Sequence, residues 1–139
     1  MASWEEALSQ AGHRITAPRR AVMEVLMAAQ APLSPQEICT RGQAHHDSLG
    51  LVTVYRTLEL FERFNLARRV HLREGCHGYL ATSPGHRHTI LCRACGRSME
   101  FVGQDDLDDL VARVEERTGY EVRDHLLQLF GLCPDCRDE

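Results

Sequence analysis

Two Cys-x-x-Cys pairs, Cys92-Arg-Ala-Cys95 and Cys133-Pro-Asp-Cys136, stand in a chain of 139 residues. Each pair can turn two sulfurs toward one ion, and together they complete the tetrahedral four-thiolate shell of a structural zinc site. A shell closed by four thiolates has no open position for water or substrate. Its expected role is therefore structural, clipping the end of the chain onto the strand that ends at Cys92. A thioredoxin-like redox pair is the competing reading, but such a motif needs a strand-to-helix setting and no second pair. Inert thiols are the remaining alternative. The N-terminal MASWEEALSQ is acidic and amphipathic rather than basic and then apolar, and no apolar run reaches the length of a membrane span. A cytoplasmic location without a membrane partner is expected, where thiols stay reduced and metal is favoured over disulfides.

The formal net charge of −4 argues against indiscriminate nucleic-acid binding until it is divided by region. Residues 1–83 carry nine Arg against eight acids, a balance of +1, and residues 84–139 seven Arg against twelve acids, a balance of −5. Any DNA contact is thus expected in the first half.

The pattern of the first half predicts a short helix over Trp4 to Ala11, stopped by Gly12, and a second helix that Thr16 caps and Pro18 opens. Pro32 breaks that helix. Ser34 with Glu37 three residues later is a capping box for a third helix, running to about Ala44. In the fourth, Leu51, Val54, Leu58 and Phe61 line one face. Ala67 to Leu72 and Gly78 to Ala81 then read as a hairpin around Arg73-Glu74-Gly75-Cys76-His77. Helix, turn, capped helix and hairpin make a winged helix-turn-helix. After a linker at Pro84-Gly85 come a strand ending at Cys92, a strand Ser98 to Val102, a helix from about Asp105 to Arg117, and a strand from Tyr120 to Phe130. The expected class is α+β: a winged helix-turn-helix domain, 1–83, followed by a small α/β domain, 84–139.

TVYRTL at 53–58, HRHTILCRACG at 86–96, Glu100-Phe101 and HLLQLFGLCPDC at 125–136, with GHRITAPR at 12–19, resemble the ferric uptake regulator family of bacterial metalloregulators. The resemblance implies a homodimer, joined through the C-terminal domain, whose winged domains grip palindromic double-stranded operator DNA when a regulatory metal is bound. Tyr55 and Arg56 match the family's recognition helix, where the ring can touch thymine methyls and the guanidinium can bond guanine or phosphate. Arg14 matches a basic residue sent toward the minor groove, and Arg19 a residue that contacts the DNA backbone.

Family members carry a run of histidines before the first knuckle, alternate members of which feed two metal sites. Here the run is His86-Arg87-His88-Thr89, so that one face of an extended segment keeps its imidazoles and the other has lost them. By resemblance, His86 and His88 form a regulatory site with Asp108 and His125, suited to a first-row transition metal. At the family's other site Leu80 stands where a carboxylate is usual, and Glu100 matches a ligand. His71, Cys76 and His77 are candidates to rebuild it.

These readings converge on a metal-dependent repressor with structural zinc and a regulatory ion of zinc or iron. Zinc is favoured by the imidazole and thiolate donors, as a signal for metal uptake. An iron-responsive or peroxide-responsive regulator is the alternative, though Leu80 weakens the oxygen-rich iron site that peroxide sensing needs. A zinc hydrolase or thiol oxidoreductase is the competing class. No G-x-S-x-G, H-E-x-x-H or phosphate loop supports an enzyme, and the four-cysteine shell has no open position.

Overall fold

Thr16 and Ser34 set the starts of two helices by capping. In the computed structural model, which describes residues 2–72, 75–82, 87–103 and 107–138, the Arg19 backbone N–H donates to Thr16 Oγ1 at the head of α2 (Ala17–Ala28). Ser34 and Glu37 form a reciprocal capping box ahead of α3 (Pro35–Gly42), with both bonds at 3.1 Å. These bonds satisfy amides that a helix start leaves without intrahelical partners. The helix α1 (Ala2–Gln10) stops before Gly12, whose φ of +85° is costly for a residue with a side chain.

The chain divides into two units, Met1–Thr82 and Ser83–Glu139. In the first, α4 (Leu51–Arg63) buries Val54, Leu58 and Phe61 at helical spacing against Val22, Leu26 and Ile38. Leu51, expected on that face, is 38% exposed because it is the first residue of the helix, one turn before the buried stripe. Trp4 joins α1 to the core, its ring edge-on to Phe61 at 5.0 Å and 84°. Strands β1 (Ala67–His71) and β2 (His77–Ala81) pair antiparallel from Ala67 opposite Ala81 to His71 opposite His77. Leu33 bridges to Tyr79 and so ties the segment before α3 to the hairpin. This is a winged helix-turn-helix. Arg73 and Glu74 of the expected turn, and Pro84-Gly85, lie outside the described residues.

The second unit is built on β3 (Arg87–Cys92), flanked antiparallel by β4 (Ser98–Val102) and parallel by β5 (Gln128–Gly131). Between β4 and β5 runs α5 (Asp108–Thr118), which ends on a left-handed Gly119 with φ +75°. The strand expected from Tyr120 is much shorter, beginning at Gln128. A strand persists only where it has a ladder partner, and β3 offers one from Thr89 to Cys92. Ahead of that ladder Tyr120 and Leu126 are exposed. Asp105, at the expected start of the helix, lies outside the described residues. Among the described residues of this unit the buried side chains are His88, Thr89, Leu91 and Cys92, and α5 buries none.

The first unit therefore draws its stability from its own core. Phe61→Ala is expected to destabilise it by about 3–5 kcal/mol, because the cavity falls where α1 and α4 meet. Denaturant unfolding followed by the fluorescence of Trp4 should show the midpoint fall. An unchanged midpoint would contradict this packing.

Candidate metal centres and nucleic-acid surface

The parallel pairing of β3 and β5 brings both knuckles to one end of the sheet. Cys92 closes β3 opposite Gly131, and the Arg93 amide donates to the Gly131 carbonyl at 2.8 Å. The first knuckle returns through Gly96 N–H to Cys92 O at 3.0 Å, the second through Cys136 N–H to Cys133 O at 3.0 Å. The four sulfurs all lie within 4.8 Å of one another, Cys95 and Cys133 being 3.9 Å apart. Zn–S bonds of about 2.3 Å in a tetrahedron require sulfurs about 3.8 Å apart, so the donor set fits such an ion.

The protons are unevenly held. Hydrogen bonds from the backbone of Cys95 and Cys133 draw the Cys92 thiol down to about 6. Arg97, whose Nη2 donates to Cys133 Sγ at 3.1 Å, lowers Cys133 as well. Cys136 is pushed up to about 12, foremost by its hydrogen bond with Cys133 and by burial. A divalent cation removes this conflict by displacing the last proton and balancing the thiolates. Arg97 also bonds Asp135 at 2.9 Å and so clamps the second knuckle. Its part escaped the sequence analysis, since an arginine two residues after a knuckle has no distinguishing spacing.

Further along β3, buried His88 places Nε2 at 3.1 Å from the Gly103 carbonyl. A carbonyl only accepts, so Nε2 carries the proton and Nδ1 the lone pair of the neutral ring, the division that metal-binding histidines use. The His125 ring lies 5.4 Å from that of His88. With Zn–N bonds of about 2.0–2.1 Å, an imidazole centroid stands about 3.2 Å from the ion, and two such rings are about 5 Å apart. The pair fits one ion. Asp108 opens α5 and is exposed. Among the described residues only the four cysteines bring three or more ligand atoms within 4.8 Å, so Asp108 does not complete a preformed cluster with the two histidines. His86 lies outside the described residues.

On α4, Tyr55 and Arg56 are exposed, away from the face of Val54, Leu58 and Phe61. Arg14 is exposed ahead of α2, and its carbonyl accepts from Arg19 Nη1 at 2.7 Å, which holds the two segments together. An open cavity of about 600 Å³ lies between the start of α3, α4 and the hairpin, lined among others by Tyr55, Glu59, Glu62, Cys76, His77 and Tyr79. The two glutamates were also missed, although they follow Tyr55 at helical spacing and share its side of α4.

The ferric uptake regulator family model matches residues 10–130. The chain belongs to this family. It is 34% identical over 134 residues to the ferric uptake regulation protein of Legionella pneumophila, covering 95% of this chain and 97% of the relative. It is 33% identical over 130 residues to the zinc uptake regulation protein of Mycobacterium tuberculosis, covering 94% and 99%. A solved zinc uptake regulator in complex with zinc and DNA shares the fold, with a TM-score of 0.81 at 19% identity, covering 99% of this chain and 92% of the other.

Within this member of the family the second expected ligand group is divided. His71, Cys76 and His77 stand on the hairpin of the first unit, and Glu100 stands on β4 opposite Thr89 in the second. His71 and His77 bring their rings to 4.7 Å. Leu80 is buried in β2.

Removing metal from the four cysteines should unfold the second unit and leave the helices of the first in place, because the closed centre joins β3 to the chain beyond β5. Circular dichroism with hydrogen exchange, with and without a strong chelator, reads this directly. Retained protection of Leu91 and Cys92 after complete zinc loss would contradict it. Zinc return at neutral pH should release protons, Cys136 contributing, and zinc should be lost as acid restores them.

Proposed function

We propose that this chain is a metal-dependent transcriptional repressor that binds palindromic operator DNA as a homodimer, with zinc as corepressor in the control of metal uptake. The observation that carries this reading is that one strand, β3, holds both the first sulfur of the four-cysteine cluster and His88 of the imidazole pair. The closed centre fixes the strand, and the imidazole pair takes the ion that changes with supply. His86 and Asp108 are the further ligands assigned to that regulatory site, with the four cysteines, Cys92, Cys95, Cys133 and Cys136, assigned to structural zinc.

Imidazole donors favour zinc, and the Mycobacterium tuberculosis relative is named for zinc uptake. Iron is the second reading, favoured by the Legionella pneumophila relative, which is named for ferric uptake. Homodimerisation is supported by the second unit, where Met99, Val102, Leu110, Tyr120 and Leu126 are exposed and little is buried. So much apolar surface on so small a unit marks a protein interface. Among the described residues no helix is long and apolar enough to cross a membrane. From its family we take the chain to be a cytoplasmic regulator rather than an enzyme.

His125→Ala should leave the folded dimer intact and weaken metal-dependent DNA binding, read by sedimentation and by fluorescence anisotropy at controlled free zinc. Unchanged metal dependence would remove His125 from the sensing site.

Tyr55 and Arg56 are assigned to base edges, Arg14 to the minor groove and Arg19 to phosphate. Arg56→Ala should then cost about 1–3 kcal/mol on a selected palindrome and relax sequence preference. Arg19→Ala should weaken specific and scrambled duplexes alike and make the slope of log K against log salt shallower by about 0.9. Equal wild-type binding to both duplexes, with or without metal, would overturn the repressor reading.

A further inference from the structure

The hairpin of the winged unit places two imidazoles directly opposite one another. His71 ends β1 and His77 begins β2, and they form the last register pair before the turn. Beyond them the Leu72 amide donates to the Cys76 carbonyl at 2.8 Å and holds the hairpin closed. The two ring centroids are 4.7 Å apart, and the ring planes are tilted by 56° rather than stacked. Two imidazoles on one zinc-class ion have centroids about 5 Å apart, given Zn–N bonds of about 2.0–2.1 Å. The hairpin pair therefore fits an ion as well as His88 and His125 do, at 5.4 Å.

We propose that the winged unit carries a metal site of its own, in which His71 and His77 chelate one late first-row divalent cation, zinc being the probe. Antiparallel pairing supplies the preorganisation, because directly opposed residues keep their side chains as close neighbours on one face. His77 also lines the open cavity whose wall includes Cys76 and Glu62, although neither joins the pair in a preformed group of three ligand atoms. Thiolate, carboxylate and water all suit the remaining positions of such an ion. The site lies wholly within Met1–Thr82 and needs neither Glu100 nor any ligand of the second unit. An ion there adds positive charge at the edge of the cavity that Tyr55 of α4 also lines. It is a property of the hairpin and holds whether or not the chain represses transcription.

The test is a zinc titration of the full chain, its four-cysteine zinc retained, against a chromophoric chelator. Wild type, His71→Asn, His77→Asn, His125→Ala and the His77→Asn/His125→Ala double variant are compared, each checked for its wild-type melting transition. Both hairpin variants are expected to lose one equivalent of zinc relative to wild type. His125→Ala should lose a different equivalent, and the double variant should lose both. Proton NMR of wild type supplies a readout free of substitution: zinc should shift the ring protons of His71 and His77 together, in the His125→Ala background too. Hairpin variants that titrate like wild type, or zinc that leaves those ring protons unmoved, overturn the site. Loss of the His125 equivalent alone bears on the sensing site of the repressor reading and leaves this one standing.

Discussion

The parallel ladder between β3 and β5, closed at its end by four sulfurs, is the constraint on which the second unit depends. Only four described side chains there are buried, so hydrophobic packing within the unit cannot hold the chain beyond Thr118 in place. The ladder runs from Thr89 opposite Gln128 to Cys92 opposite Gly131, and the cysteine cluster sits where it stops. A closed centre at this point fixes the register of β5 and thereby the approach to β3 of the segment that carries His125. His88 and His125 meet because of that ladder. The electrostatics agree with a centre that expects a cation: Arg97 and backbone amides favour ionised Cys92 and Cys133, while Cys136 retains its proton.

The first unit obeys different physics. Its helices meet in a continuous apolar core, with Phe61 fully buried and Trp4 packed on its edge. No ion is needed to hold α1 to α4. Because the inner face of α4 is committed to that core, Tyr55 and Arg56 are left exposed on the outside. The cavity beside Tyr55 follows from the same arrangement, since the hairpin is anchored to the segment before α3 through Leu33 and Tyr79 and stands off from the outer side of α4.

Much of this was legible in residue order because local chemistry decides it. Thr16, Ser34 and Glu37 bond to amides three residues away, so their capping could be read without knowledge of the fold. The stop before Gly12 and the buried stripe of α4 are likewise short-range consequences of backbone sterics and helical period. The error over Tyr120 to Leu127 has the opposite origin. Strand propensity was present, but a strand needs a partner, and the available edge of β3 ends the ladder at Thr89.

The sequence by itself determined the capped starts of α2 and α3, the alternation that separates His88 from Thr89, and the two knuckles, each of which closes over a few residues. Only the tertiary structure decided which distant groups meet. The 3.9 Å approach of Cys95 to Cys133, the Arg97 clamp, the His88–His125 pair and the cavity that joins Glu62 to His77 all depend on contacts between segments far apart in the chain. Such contacts are set by ladder register and core packing, which no local pattern encodes, and the chemistry of the sites is distributed over them.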